Sequence, residues 1–121
     1  MTTQEIANRY YELACQGKWT EIQNELHHDS VICQEPEKAA LRGVAILTKG
    51  KEAVLAKSIA NREMIEAIHN QFCSEPLVGA NFFSLALKRD VTFKTNQRVQ
   101  LEEICVFQVT DGKIISEQFF Y

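Results

Sequence analysis

Along the first quarter of the chain the hydrophobic positions recur every three or four residues; in the last quarter they crowd together, and that change of period separates helices from strands. Ile6, Tyr10, Leu13 and Ala14 form one helical stripe. Thr2 with Glu5 three residues later is a capping box at its start, and Gly17 offers a stop, which predicts a helix over residues 3–16. Thr20 with Gln23 repeats the N-terminal signal, and Ile22 and Leu26 make a second, shorter stripe. Two antiparallel helices are therefore expected. The polar run His27-His28-Asp29-Ser30 follows and reads as surface, since adjacent histidines lack the i, i+4 spacing of a helical metal site.

Residues 31–35 predict a brief strand, closed by Pro36, which cannot donate to a sheet and biases Glu35 towards extended backbone. Residues 36–50 read as loop. Residues 51–63 predict a third helix with Ala53, Ala56, Ala60 and Met64 on its inner face. Residues 64–74 and 78–94, rich in Ile, Phe, Leu and Val, predict strands. Residues 98–121 then predict a long closing hairpin around Thr110-Asp111-Gly112.

The hairpin turn decides which side chains share a face, because a one-residue slip turns every side chain over. A two-residue Asp111-Gly112 loop sets Cys105 opposite Gln118. A three-residue loop with a glycine bulge sets Cys105 opposite Glu117 and is the preferred reading. It collects Glu103, Cys105, Phe107, Ile115, Glu117, Phe119 and Tyr121 on one face, with Ile104, Val106 and Phe120 on the other. Both faces then carry apolar residues and both need cover, so a homodimer through the outer sheet face is expected. The element order predicts an α+β fold, three helices of the N-terminal half packed on a curved sheet.

Bulk properties narrow the partners. With 121 residues and 45% hydrophobic content the chain is expected to be a single domain, residues 1–121, with a real core. Thirteen basic against sixteen acidic residues provide no electrostatic footprint for nucleic acid or an anionic membrane. The start MTTQEIAN has neither a basic region nor an apolar one, and no stretch approaches the roughly twenty apolar residues of a membrane span, so a cytoplasmic location is expected. Cys15, Cys33, Cys73 and Cys105 include no C-x-x-C pair. They read as reduced thiols, and neither metal nor cofactor is expected.

The ending EEICVFQVTDGKIISEQFFY, with the weaker RYYELACQGKW and HHDSVICQEP segments, resembles the nuclear transport factor 2-like superfamily, which includes ketosteroid isomerases, scytalone dehydratases and SnoaL-like polyketide cyclases. The resemblance spans essentially the whole chain. It implies a cone in which a bent sheet and helices surround an apolar cavity, but one fold hosts many reactions. Against ketosteroid isomerases, the phenolic donor corresponds to Tyr10 and the general base to Glu35 before Pro36. The neutral carboxylic acid that shares the oxyanion falls near Cys105, and a thiol is a poor donor there. That departure argues against steroid-type isomerisation specifically.

Each candidate also has an ordinary reading. Tyr10 fits a core position, and Glu35 fits a solvated strand end. Glu103 and Glu117 share a face near Cys105, where either carboxyl can hold a proton or accept from His69 or Lys57. His69 is the one histidine in the strand region and so the acid/base candidate, beside a purely structural reading. Ser84 alternates with Ala86, Lys88 and Asp90 as pocket wall or solvent side. The candidate set is thus Glu35, Tyr10 and His69 for catalysis, with Glu103, Cys105, Phe107, Glu117, Phe119, Tyr121 and Ser84 lining a pocket for a small apolar molecule. The chemistry expected of it is cofactor-free proton transfer next to a carbonyl; a non-catalytic binding or dimerising module is the alternative.

Overall fold

The N-terminal helix starts where its cap demands. Thr2 Oγ1 accepts from the Glu5 N–H at 3.1 Å, and the Glu5 carboxylate accepts from the Thr2 N–H at 2.9 Å, so two otherwise unpaired donors are satisfied reciprocally. The computed structural model describes residues 1–121, and this helix, α1, spans Thr3–Cys15. Helix α2 spans Trp19–Leu26, but Thr20 is not its cap. Lys18 precedes the helix, and the Thr20 hydroxyl instead accepts from Arg62 at 2.9 Å.

Strand β1, His27–Gln34, starts directly at the end of α2, so the strand is longer than the sequence pattern implies. A 3-10 helix over Glu37–Arg42 and strand β2, Leu47–Lys49, occupy the expected loop. Helix α3 covers Lys51–Glu63 and β3 covers Ile65–Cys73. A turn at Ala80-Asn81 divides the expected strand over 78–94 into β4, Leu77–Gly79, and β5, Phe82–Phe93; Ala80 has φ 52. Strands β6, Arg98–Thr110, and β7, Lys113–Phe120, close the chain. The sheet order is β2-β1-β7-β6-β5-β3, with β4 on β5. Only β1 and β7 run parallel. The result is an open mixed sheet with three helices against it, the α+β cone that the element order implied.

The closing hairpin corrects the expected register. Its loop is the two-residue one, with Thr110 opposite Lys113 and both Asp111 (φ 53) and Gly112 (φ 71) left-handed, the conformation a tight hairpin turn prefers. A bulge between Gln108 and Val109 then shifts the pairing, so Cys105 faces Phe119 rather than Glu117. The difference from the preferred register is two residues, an even number. Glu103, Cys105, Phe107, Glu117, Phe119 and Tyr121 therefore still share the inner face, whereas Ile114 takes the buried place expected of Ile115.

Helix α3 corrects a second expectation. Ala53, Ala56 and Ala60 are exposed, and the inward stripe is Val54, Lys57, Ser58 and Asn61, while Met64, just past the helix, lines the cavity as expected although it is 45% exposed. The helix turns a polar stripe towards the interior because a cavity lies beneath it.

The core sits at the other end of the sheet. Tyr10 meets Phe107 with ring centroids 4.7 Å apart and Phe83 edge-on at 5.9 Å, while Phe83 and Phe107 stack at 4.6 Å. Ile6, Leu13, Ile22, Leu26 and Val31 are fully enclosed around this trio. Phe107→Ala is expected to destabilise the fold by about 3–5 kcal/mol in denaturant titration, since a buried ring leaves a cavity. Thr2→Ala is expected to cost only about 1 kcal/mol, the usual value of a cap; equal losses would show that the aromatic trio is not the anchor.

Candidate functional site

Past Leu87 the sheet's inner face continues through Arg89 to Phe93 on β5 and Leu101 on β6, side chains that line a hollow although Val91 among them is fully buried. The space between this end of the sheet and α2 and α3 is a cavity of about 550 Å³, the size of a small-molecule site. Of its 27 lining residues 13 are hydrophobic, so half of the wall can make directional contacts. The resemblance implies an apolar hollow; this one is amphipathic.

Strand alternation puts the carboxylates inside. On β1, Val31 and Cys33 point inward, and the same phase carried one residue past Gln34 turns Glu35 inward as well, where it is 9% exposed. Its backbone N–H donates to the Ile46 carbonyl at 2.7 Å, which fixes the turn into Pro36. Glu35 Oε1 lies 3.3 Å from Lys57 Nζ, while Oε2 is buried without a partner. Lys57 also donates to Cys33 Sγ at 3.1 Å. Burial works against the ammonium, but Cys33 and Glu35 outweigh it and hold Lys57 above its ordinary range. Burial, with Glu117 next, pushes the Cys33 thiol up to about 12, so it stays protonated at neutral pH.

A second buried pair was not legible in the sequence. His27, expected at the surface, is 2% exposed, and its Nε2 lies 3.1 Å from Glu117 Oε2, itself 5% exposed. The direct passage from α2 into β1 carries His27 inward, whereas its neighbour His28 stays partly exposed and accepts from the Ser30 N–H through Nδ1. His27 Nδ1 and Gln23 Oε1 are both buried and unpartnered on cavity-lining residues. Orphaned polar atoms of this kind are costly, and a cavity that holds three of them offers a ligand or water ready-made partners.

Tyr10 joins the core to the cavity. Burial, then the proximity of Cys105, Glu117 and Glu103, pushes its phenol well above the ordinary 10, so at neutral pH it is a hydrogen-bond donor. Burial likewise raises the Glu103 carboxyl, with Arg89 opposing it. At the mouth, the Tyr121 ring lies between Lys38 Nζ, 5.3 Å from its centroid, and Arg42 Cζ at 5.2 Å. Arg42 donates to the Tyr121 hydroxyl at 2.9 Å, so the 3-10 segment is tied to the chain end.

The structure thus brings Glu35, Tyr10, Glu103, Glu117, Phe119 and Tyr121 to one cavity and leaves the other sequence candidates out. Cys105 and Phe107 are completely buried behind the wall, with the Cys105 thiol directed at Glu103 Oε1 from 3.9 Å. His69 is exposed and bonded to Thr92 Oγ1 at 2.7 Å, away from the cavity. Ser84 alternates with the buried Phe83 and Leu85 and so points to the outer face. No group of three or more His, Cys, Asp or Glu side chains is placed to share a metal ion, and no helix is long and apolar enough to cross a membrane.

Comparison with known proteins agrees with this geometry. The model of the SnoaL-like domain family matches residues 1–121, and the chain belongs to that family. A Mesorhizobium loti protein described as a SnoaL-like polyketide cyclase and also as a carbohydrate phosphatase is 34% identical over 100% of both chains, with a TM-score of 0.91. Two more distant structures share the fold. TerC, co-crystallised with polyporic acid, is 14% identical over 98% of this chain and 90% of its own, TM-score 0.78. A Catenulispora acidiphila protein of ketosteroid isomerase-like fold, in complex with trimethylamine, is 12% identical over 100% and 87%, TM-score 0.72. The fold is the nuclear transport factor 2-like cone. No curated protein matches the chain in sequence.

The raised Glu103 carboxyl has a consequence for stability. A carboxyl that binds its proton more tightly when folded contributes stability below the ordinary 4.5 and loses it as pH rises through the folded value. At pH 7 the wild-type protein carries the cost of an ionised Glu103. Glu103→Gln is therefore expected to raise the midpoint of thermal unfolding at pH 7, and the gain is expected to shrink below pH 4.5; a gain independent of pH would show that ionisation of Glu103 is not its source.

Proposed function

We propose that the cavity takes up a small molecule with a carbonyl group and moves a proton beside it, with Glu35 as the base and Tyr10 as the donor to the developing enolate. The observation that carries this reading is the buried Glu35 carboxylate, with one oxygen on Lys57 and the other free of any partner, lining the same cavity as a phenol that burial keeps protonated. Proton abstraction needs an acceptor oxygen, and enolate formation needs a donor that is not itself ionised. The protonated form of Glu103, which burial makes more accessible than in a free carboxyl, is a second donor two residues from Cys105, whose thiol serves an oxyanion poorly. His27 and Glu117 form a further pair through which a proton can be returned to product. Of the two activities in the description of the Mesorhizobium protein, polyketide cyclase and carbohydrate phosphatase, the first agrees with carbonyl chemistry of this type.

A second reading has its own support. Glu35 and Glu117 are already paired with Lys57 and His27, and a site of satisfied charges serves binding without turnover. The two readings part on α-proton exchange of 2-tetralone in deuterated water, followed by proton NMR. The protein is expected to accelerate deuterium incorporation, and Glu35→Gln to slow the protein-catalysed exchange by about 100-fold or more, in the range general-base removal costs, with tetralone affinity little changed. Binding of tetralone with no acceleration by the wild-type protein would favour the carrier.

The outer sheet face supports a homodimer. Ile104 and Phe120, paired across β6 and β7, are 49% and 48% exposed, and Phe72 on β3 is 53% exposed. Apolar side chains gathered on one strand-built surface mark an interface. The four free cysteines suit a reducing compartment, and the cytoplasm is the location this reading assigns. Light scattering at micromolar concentration is expected to return twice 13.8 kDa, and Ile104→Arg with Phe120→Arg to return the monomer mass. A monomeric wild-type protein would remove the dimer from this reading.

A further inference from the structure

Three arginines line the cavity without an acidic partner: Arg42 at the mouth, bonded to the Tyr121 hydroxyl, and two that lie further in. Arg62, on the last turn of α3, donates from Nη1 to Ser58 Oγ at 2.5 Å and from Nη2 to Thr20 Oγ1 at 2.9 Å. Both acceptors are neutral hydroxyls. Arg89 lies on the inner face of β5, in phase with Leu85 and Leu87, and forms neither a side-chain hydrogen bond nor an ion pair. Both are half-buried, and both line the main cavity as well as the smaller groove beside α2 and β3. They stand together on the wall that divides the two.

The arginines outside the cavity are paired. Arg9 is held by Glu25 at 2.7 Å and Arg98 by Asp90 at 2.8 Å. The two that reach furthest inward are left unneutralised, and they are close enough to feel each other: burial first, and the charge of Arg89 second, hold the Arg62 guanidinium below its ordinary range. Two partly desolvated like charges side by side are unfavourable without an anion between them. Glu35, Glu102, Glu103 and Glu117 in the cavity and Glu21 and Glu66 along the groove are the carboxylates on these walls; Glu103 is close enough to feel the charge of Arg89, yet none forms an ion pair with either arginine.

We propose that Arg62 and Arg89 seat a carboxylate of the ligand, so that the molecule taken up is a monoanion whose apolar body fills the cavity beyond. The proposal rests on the reading of the cavity as a small-molecule site and adds the charge of its occupant. Guanidinium forks match a carboxylate's two oxygens, and the hydroxyls of Ser58 and Thr20 pre-orient one fork at little further entropic cost. The lining carries five Lys and Arg against four Glu. A single negative charge balances it, whereas a phosphate dianion overshoots. The seat also orients the ligand, since a carboxylate fixed at the α3 and β5 wall directs the remainder of the molecule towards Glu35 and Tyr10.

The test compares three probes of one shape, 2-naphthoate, 2-naphthamide and 2-naphthyl phosphate, by titration calorimetry at fixed ionic strength. The wild-type protein is expected to bind naphthoate about tenfold or more tighter than naphthamide, the scale of a desolvated charge-assisted contact. Arg89→Gln, which removes no hydrogen bond of the fold, is expected to abolish that preference while leaving naphthamide affinity unchanged. Arg62→Lys is expected to weaken the preference and to retain the fold. Equal affinity for naphthoate and naphthamide, or a preference that survives Arg89→Gln, would overturn the carboxylate seat and leave the cavity reading standing. Tighter binding of the phosphate would overturn the choice of a monoanion. Failure of all three probes to bind would overturn the seat and the cavity reading together.

Discussion

The contact between α1 and the sheet at Tyr10, Phe83 and Phe107 governs how the rest of the interior is divided. Three rings within 6 Å of one another, all but closed to solvent, concentrate apolar burial at one end of a sheet that is longer than its helices. Strands β5 and β6 run on past this anchor, and beyond Leu87 their inner face is only partly covered. The unfilled remainder is the cavity. Its existence follows from an imbalance between twelve- and thirteen-residue strands and two thirteen-residue helices, because a residue in a strand rises about twice as far as one in a helix.

What the cavity contains is set by the cost of leaving charge away from water. Glu35 with Lys57, and His27 with Glu117, are buried in pairs, which is how a protein keeps ionisable groups inside at a tolerable cost. The pairing is incomplete: Glu35 Oε2, His27 Nδ1 and Gln23 Oε1 find no partner. Packing alone gives no reason to keep such atoms, since apolar residues in the same places would be more stable. Unpaired polar atoms on the wall of a hollow of ligand size fit a site that is completed by what it binds, and Arg62 and Arg89 repeat the pattern with charge.

The inward stripe of α3 shows where sequence reasoning meets its boundary. Periodicity assigns the apolar side of a helix to the interior, and on that rule Ala53, Ala56 and Ala60 belong inside. The rule assumes that the interior is apolar. Over a charged cavity the preference inverts, so Lys57, Ser58 and Asn61 turn inward and the alanines face solvent. His27 was misplaced for a related reason: a run of four polar residues looks like a surface turn, yet α2 passes straight into β1 and its first side chain is enclosed. In the hairpin, loop length was misjudged and a bulge was unforeseen, but the two shifts summed to an even number and the inner face survived.

From residue order alone, the α+β class, the capping of α1, the extent of α3 and the shared face of Glu103 and Glu117 were expected, because each depends on local propensity or on the two-residue repeat of a strand, while Glu35 entered through the family resemblance. Which of those side chains meet was decided only by tertiary structure. Glu35 with Lys57, His27 with Glu117, and Arg62 beside Arg89 bring together residues from separate elements, and no local pattern encodes the curvature that carries one sheet edge towards a helix. His69 and Ser84 fell away for the same reason. Chemical type made them candidates, but the cavity's position depends on where the apolar side chains ran out, and that is a property of the packed whole.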